Sequence, residues 1–165
     1  MNLTIRDAGL KDAAELAAIY GPYVRSSAVT FELEPPDAAE IERRMRSVLD
    51  VGLPYLVAET AEGELAGYAY AVPFRPREAY RFTVEDTVYL RSEFVGKGVG
   101  GKMLGVLIDR CRLADRRQMV AVIGGHNPAS VAMHARLGFA QTGVLRGVGF
   151  KFGEWHDVTL MQLGL

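Results

Sequence analysis

The stretch of residues 84–114 constrains the fold of this chain more than any other, because a strand, a loop and a helix follow one another in it. Val84, Val88 and Leu90 alternate with polar and aromatic residues, a pattern that predicts a strand. Glycines then interrupt the pattern, and the apolar residues that follow recur at helical spacing, which predicts a helix with one buried face. The glycines are Gly96, Gly98, Gly100 and Gly101, and the apolar helix positions are Met103, Leu104, Leu107, Ile108 and Cys111.

A glycine loop at the start of a helix is suited to binding phosphate. The N–H groups of a first helical turn have no partner inside the helix, and the positive end of the helix dipole points the same way. Glycine lets the backbone approach a diphosphate without an intervening Cβ, and Lys97 adds a nearby positive charge. Dinucleotide and nucleoside triphosphate sites use similar loops, but no Gly-Lys-Ser/Thr sequence ends this one, which argues against a triphosphate. An ordinary strand–turn–helix junction remains the alternative.

Size and charge favour one globular domain. The chain has 165 residues, enough for a sizeable core, and we expect a single domain over residues 1–165. A formal net charge of −1, with both signs interspersed, provides no basic surface for nucleic acid or an anionic membrane. No apolar stretch is long enough to span a bilayer, and the single Cys111 permits no disulfide within the chain. We therefore expect a cytoplasmic protein without a metal, nucleic-acid or membrane partner.

The remaining patterns predict a mixed α/β domain with a mostly antiparallel central sheet of about seven strands and helices on both faces. Pro22 is expected to end or kink the first helix, and Asp37 with Glu40 to cap the second. The wholly apolar segment 119–123 predicts a strand that is covered on both faces. The predicted strands are 3–6, 55–59, 65–72, 80–90, 119–123 and two long strands within 139–163 joined by a turn near 152–154, and the predicted helices start near Lys11, Asp37, Gly101 and Asn127.

A second motif begins at Asn127, which is suited to capping a helix that has Pro128 at its first position. Gly138 marks the end of that helix, since glycine is the usual stop. Asn127, Ser130 and His134 are three and four residues apart, so they lie on one helix face. That face can line a ligand, although an ordinary cap and a first-turn serine have the same pattern.

Both motifs resemble those of the GNAT acyl-CoA N-acyltransferases. Residues 95–100 match the family loop pattern Q/R-x-x-G-x-G/A except at Val95, where the family has Gln or Arg, and His134 stands where a later family motif has tyrosine. The resemblance implies a GNAT-like fold and acetyl-CoA as co-substrate. We expect the change at Val95 to weaken diphosphate binding without removing it, because the backbone donors remain. The residues implied for acetyl-CoA binding are Val88, Tyr89, Leu90, Val95, Gly96, Lys97, Gly98, Gly100, Gly101, Asn127 and Ser130.

A narrower resemblance covers nearly the whole chain. Segments 31–36, 80–89, 120–124 and 149–158 are similar to the phosphinothricin and methionine sulfoximine N-acetyltransferases. The resemblance implies direct transfer of acetyl to the α-amino group of a small amino-acid-like substrate. The site residues that it implies are Glu85 as the base, His134 as a proton donor to the thiolate or a second acceptor, backbone N–H groups of Val88–Leu90 for the thioester oxygen, Arg75 and Arg81 for anionic substrate groups, and Phe31 as a pocket wall.

Alternatives stay open at this point. Glu85 can instead be a solvated glutamate on a sheet face, His134 a structural histidine, and Arg75 and Arg81 solvated loop residues. On the same fold, a peptide or protein N-terminal acetyltransferase and a catalytically silent acyl-CoA-binding module are the competing functions. We also expect a homodimer, since the resembled family commonly forms dimers and a C-terminal hairpin offers strand edges to pair. Lys151 is a distant candidate for the pocket.

Overall fold

The computed structural model describes residues 2–165, and within this range seven strands form one sheet in the order β1-β2-β3-β4-β5-β7-β6. Of the strand pairs in the described residues, β4–β5 alone is parallel. The predicted mixed, mostly antiparallel sheet is confirmed. The strands are β1 Leu3–Asp7, β2 Tyr55–Thr60, β3 Leu65–Pro73, β4 Thr83–Leu90, β5 Gln118–Gly124, β6 Ala140–Lys151 and β7 Glu154–Gly164.

Helices cover both faces of the sheet. Neighbouring residues on a strand point to opposite faces, and β4 shows which helix lies on each. The Tyr89 ring packs against Tyr20 and Tyr23 of α1, whereas Val88 and Leu90 lie next to Gly100 of α3. The α-helices are α1 Ala13–Ser26, α2 Ala38–Leu49, α3 Val99–Leu113 and α4 Pro128–Arg136. No helix within residues 2–165 has the length and apolar character needed to cross a bilayer.

The apolar helix faces predicted from spacing form the core. Leu16 of α1, Met45 of α2, and Leu104 and Leu107 of α3 are completely buried against the sheet. Cys111 is buried beside them, and burial raises the pKa of its thiol to about 12. The thiol is therefore protonated at neutral pH and unreactive, as expected of a cysteine on the apolar face of a helix.

Helix caps follow the sequence prediction. The Asp37 carboxylate accepts a hydrogen bond from the Glu40 N–H at 2.8 Å and caps α2. Pro22 does not end α1, which continues to Ser26.

Two predictions about strands differ from the structure. The segment 80–90 is not one strand: Glu78–Tyr80 forms a 3-10 turn, and β4 begins at Thr83. The prediction that segment 119–123 is covered on both faces is also wrong, because Val122 is 39% exposed. Val122 points to the face that carries α1 and α2, and those helices pack over β2, β3 and β4 rather than over β5. The uncovered half of this face becomes part of the functional site.

We predict that Gly67→Ala destabilises the protein by about 1–3 kcal/mol, the usual cost of overpacking a core. A Cβ at Gly67 of β3 would overlap Leu90 Cδ2 and lie 2.5 Å from the Tyr89 carbonyl oxygen, so β3 and β4 would have to separate. Urea denaturation measures the free energy of unfolding. The matched control is Gly143→Ala in β6, where an added Cβ meets nothing within 4 Å. Equal stability of the two variants would contradict the close approach of β3 to β4.

Candidate active site

The site is a cleft where β4 and β5 separate. The two strands pair over Thr83–Glu85 and Gln118–Val120 and then diverge. The Arg91 N–H donates to the Ala66 carbonyl of β3. Backbone N–H and C=O groups alternate in direction along a strand, so those of Asp86, Val88 and Leu90 point away from β3 and into the opening. A cavity of about 960 Å³ occupies it. The edge of β4 therefore presents main-chain donors and acceptors to any ligand in the cleft.

The glycine loop closes the wide end of this cleft. Gly96 and Gly98 have φ angles of 77° and 80°, values that favour glycine. Gly98 is the N-cap of α3, and Lys102 makes the first bond back to the Gly98 carbonyl. The N–H groups of Val99, Gly100 and Gly101 consequently lack helical partners, which creates an anion-binding helix terminus.

Two exposed cationic side chains lie at the mouth of the cleft, and neither is the predicted Lys97. Lys102 and Arg136 line the cavity. Lys97 is not among the lining residues, and its ammonium lies 5.9 Å from the centre of the Phe94 ring. Helical spacing could have identified Lys102, because it lies in the first turn after the loop. The position of Arg136 depends on how α4 packs beside α3, which the sequence does not reveal. Of the residues predicted to bind acetyl-CoA, all except Lys97 line the cleft.

Glu85 lies where this cleft meets a second cavity. It is half-buried and lines both, and the second cavity has a volume of about 410 Å³. Burial, and after it the charge of Asp86, raises the pKa of Glu85 above the ordinary 4.5, while Arg75 acts in the opposite direction. A carboxyl in this position can accept a proton near neutral pH more readily than a solvated one.

The second cavity has a cation at its rim and apolar walls. Arg75 lines it, with its guanidinium 4.2 Å from the centre of the Phe74 ring. Arg81 lines neither cavity: it donates to the Glu78 carbonyl and lies over the Phe82 ring. The structure thus brings one of the two predicted arginines to Glu85. The other lining residues are Tyr80, Thr83, Gln118, Val120, Val122, Thr142, Leu145, Leu160 and Gln162.

Phe31 lies on the loop after α1, and β6 holds that loop in place. The buried Lys151 ammonium donates to the carbonyls of Ser27 and Thr30, both at 2.8 Å, and burial lowers its pKa. The Phe31 ring lies against Gly149, in the space that a Cβ there would occupy. Lys151 therefore holds a wall of the cleft in place although it is more than a hundred residues away in sequence. No local sequence pattern could indicate this contact.

α4 supplies the polar side of the cleft. Asn127 caps the helix by accepting the Ser130 N–H at 3.1 Å, as predicted, and both residues line the cavity. His134 is 4% exposed and lies between the Ser130 carbonyl, 2.8 Å from Nδ1, and the Asp86 carboxylate, 3.0 Å from Nε2. Burial alone would lower the pKa of His134, but its bond to Asp86 and the Asp86 charge raise it above 6.5. Sequence analysis did not identify Asp86.

The cleft can hold a long anionic ligand. Residues 2–165 contain no cluster of three or more His, Cys, Asp or Glu side chains able to bind a metal ion. An amide-lined helix terminus lies at one end, main-chain groups of β4 follow, and a half-buried carboxylate lies at the other end. These features define a class of enzyme that binds an extended diphosphate compound beside a proton acceptor.

Comparison with known proteins identifies the family. The acetyltransferase (GNAT) domain model matches residues 5–160, and the chain belongs to this family. It is 50% identical over 160 residues to phosphinothricin N-acetyltransferase of Alcaligenes faecalis. This match covers 96% of this chain and 81% of the relative. It is 42% identical over 165 residues to an L-methionine sulfoximine/L-methionine sulfone acetyltransferase of Pseudomonas aeruginosa, covering 100% and 96% of the two chains.

A solved structure agrees over the whole chain. The GNAT superfamily phosphinothricin acetyltransferase of Sinorhizobium meliloti, in complex with acetyl-CoA, superposes with a TM-score of 0.97 at 44% identity. The match covers 100% of this chain and 89% of that one. The GNAT-like fold predicted from the sequence is therefore confirmed.

We predict that Glu85→Gln stabilises the protein at pH 7. A carboxyl whose pKa is raised by folding binds its proton more tightly in the folded state, so stability falls as the pH rises from 4.5 through the folded pKa. Glutamine has no charge to bury. Chemical denaturation as a function of pH should find the variant more stable than the wild type at neutral pH, with the gain vanishing below pH 4.5. A gain independent of pH would contradict the burial of an ionised Glu85.

Proposed function

We propose that the protein transfers the acetyl group of acetyl-CoA to the α-amino group of a small amino-acid-like substrate of the phosphinothricin, methionine sulfoximine or methionine sulfone type. One observation carries the proposal: Glu85 lies between a cleft suited to the cofactor and a smaller cavity that contains Arg75. The names of the relatives at 42–50% identity support the same substrates. The proposal includes a cytoplasmic location, which a free buried Cys111 fits.

Binding of acetyl-CoA is assigned to the cleft. The amides of Gly100 and Gly101 at the start of α3 hold the diphosphate, and Lys102 adds charge at the mouth. The backbone N–H groups of Val88 and Leu90 face the cleft and are the donors available to the thioester oxygen. Acetyl-CoA supplies an activated acyl group when bound. The residues of the chain orient it and handle protons.

Glu85 is the proposed base. A substrate ammonium has no lone pair, so it must lose a proton before its nitrogen attacks the acyl carbon. Glu85 accepts that proton directly or through water, and the raised pKa of its carboxyl makes it a better acceptor. Attack is direct and needs no acyl-enzyme, since Cys111 is buried and its thiol is protonated. His134, which lines the cleft, is the proposed group beside the departing sulfur.

Arg75 is the proposed partner of the anionic end of the substrate. A guanidinium pairs with a carboxylate or phosphinate through two parallel N–H bonds. Arg75 is exposed and, among the residues that the structure describes, its side chain bonds only to the Phe74 carbonyl, which leaves donors for a ligand. Phe31 forms an apolar wall on the other side of Glu85. A small substrate fits the second cavity of about 410 Å³, whereas a peptide N-terminus would extend beyond it.

An assay of free thiol tests the proposal. The protein is incubated with acetyl-CoA and phosphinothricin, methionine sulfoximine, or a peptide with a free N-terminus. We expect thiol release and an N-acetylated product with at least one of the two amino acids. Release with the peptide alone would favour an N-terminal acetyltransferase. Binding of acetyl-CoA with no release from any amine would identify a silent acyl-CoA-binding module.

We predict that Glu85→Gln lowers kcat by about 10²- to 10⁴-fold, the usual contribution of a general base. The affinity for acetyl-CoA should not change, because the diphosphate contacts lie at the other end of the cleft. Steady-state kinetics and calorimetric titration with acetyl-CoA measure the two quantities. The acid limb of the wild-type kcat/KM profile should lie above pH 4.5 and be absent from the variant. Equal loss of turnover and acetyl-CoA affinity would assign Glu85 a structural role.

Gly149→Ala should raise KM for the amine by about tenfold, which corresponds to a misfit of about 1.4 kcal/mol in the bound substrate. The added Cβ displaces the Phe31 ring, which lines the main cleft together with Glu85 and is the proposed wall beside the substrate. Acetyl-CoA affinity and kcat should change little. The same measurement on Gly143→Ala, also in β6 but without contacts, should match the wild type. An unchanged KM in both variants would remove Phe31 from the pocket.

We also propose a homodimer formed through the hairpin of β6 and β7. β6 is an edge strand, so its outer backbone groups are unpaired within the sheet. Apolar side chains on the same hairpin are exposed: Leu145, Val148, Phe150, Phe152 and Trp155, the last at 69%. Sedimentation equilibrium should give a molecular mass twice that of one chain. Trp155→Glu should shift the measured mass toward that of a single chain. A wild-type protein of single-chain mass at micromolar concentration would contradict this.

A further inference from the structure

Asp86 and His134 form a buried pair that the reaction as described does not use in full. Their side chains are 3% and 5% exposed, and His134 Nε2 lies 3.0 Å from Asp86 Oδ2. The residues come from β4 and α4, 48 positions apart in sequence. Both line the cleft.

The hydrogen bonds of His134 fix where its protons are. Nδ1 lies 2.8 Å from the Ser130 carbonyl, which can only accept, so Nδ1 carries a proton. Nε2 faces a carboxylate oxygen, which also accepts unless the carboxyl is protonated. A second proton must therefore lie between Nε2 and Oδ2. Without it, a bare carboxylate would face a lone pair inside the protein, an arrangement that burial makes very unfavourable.

Stability alone does not explain the pair. Asp86 Oδ1 is buried and has no hydrogen-bond partner within residues 2–165. A buried ion pair with one oxygen unsatisfied is commonly no more stable than apolar side chains of the same volume. A buried pair in the wall of a cleft that contains a reaction centre is better explained by the proton that it retains.

Asp86 is the negative group that controls His134. The titratable group of α3 that lies near Asp86 is the Cys111 thiol, which is protonated. The charge of Arg116 lowers the pKa of that thiol, but burial outweighs it. Glu85 lies on the opposite face of β4, and Lys102 and Arg136 are exposed at the cleft mouth. By the pairing of β5 and β7 with each other and with β4, the residues of these strands nearest the pair on this face are uncharged: Met119, Ala121, Ile123, Thr159, Met161 and Leu163. Asp157, farther along β7 on the same face, is paired with Arg146.

We propose that Asp86 is a positioning residue that keeps His134 in the imidazolium form beside the departing sulfur. The inference rests on the proposed acetyl transfer. As the C–N bond forms and the C–S bond breaks, the electron pair goes to sulfur, and the positive ring stabilises the charge that develops there. The amine nitrogen gives up two protons in all: one reaches the sulfur through water, and the other leaves through Glu85 to solvent. Both ring protons of His134 stay on their nitrogens, held by the Ser130 carbonyl and the Asp86 carboxylate.

A histidine titration tests the pair without any substrate. Proton and nitrogen NMR follow His126, His134 and His156, with His134→Gln used to assign the signals. In the wild type we expect both ring nitrogens of His134 to be protonated at pH 7, and titration to occur above pH 6.5. Asp86→Asn should lower the titration midpoint by at least about one unit, a tenfold change in proton affinity. Asp157→Asn is the control and should leave the His134 midpoint unchanged, because it removes a partly exposed carboxylate that binds Arg146 and the Gly147 N–H instead of His134.

Kinetics test whether the reaction uses the imidazolium form of His134. In Asp86→Asn the alkaline limb of kcat should move to lower pH by the same interval as the histidine midpoint, with KM and acetyl-CoA affinity unchanged. In a His134→Gln background, Asp86→Asn should cause no further loss, because the two residues act as one unit. Losses that multiply independently, or a change in KM alone, would overturn the proposal.

Failure of this inference is distinguishable from failure of the proposed function. The titration requires no amine and no acetyl-CoA, so a wrong substrate class does not affect it. A neutral His134 in the wild type at pH 7 overturns the inference even if acetyl transfer is observed. If Asp86→Asn does not fold, the wild-type titration alone shows whether His134 is charged at pH 7.

Discussion

The separation of β4 from β5 is the constraint on which the rest of the structure depends. The strands share backbone pairing only as far as Glu85 and Val120, after which the edge of β4 has no neighbour on that side. Unpaired backbone groups inside a protein are costly unless another partner satisfies them. The Tyr23 hydroxyl satisfies the Leu90 carbonyl, and the remaining groups line the cleft. The sheet is thus open where an extended ligand with amide groups can complete it.

Strand alternation then assigns two adjacent carboxylates to different tasks. Glu85 points to the face that α1 and α2 leave partly uncovered, where it meets the cavity containing Arg75. Asp86 points to the other face and binds His134 of α4. In the proposed reaction, one carboxyl receives a proton from the amine, and the other keeps a proton on His134 near the sulfur. A shift of β4 by one residue would exchange these faces, so its register against β3 is a condition of function.

Local patterns predicted much of this from sequence. The loop at Gly96 and Gly98, the caps at Asp37 and Asn127 and the apolar helix faces depend on neighbours within a few positions, and the structure agrees with each. Glu85 was assigned by resemblance and lies at the junction of the cavities.

Features that depend on distant parts of the chain could not be predicted in the same way. The bond from His134 to Asp86 and the hold of Lys151 on the Phe31 loop join segments that pair only after folding. The turn at Glu78–Tyr80 directs Arg81 away from both cavities, and Val122 is exposed because no helix packs over it. Apolar composition cannot indicate such an opening, because a strand beside an empty cleft and a strand beneath a helix have the same pattern.

Calorimetric titration with CoA, compared with pantetheine, tests the central claim most directly. If the free amides at the start of α3 hold the diphosphate, CoA should bind saturably with one site per chain. Pantetheine, which lacks the diphosphate, should bind far more weakly. Absence of heat at millimolar CoA, or equal affinity for the two compounds, would contradict the account.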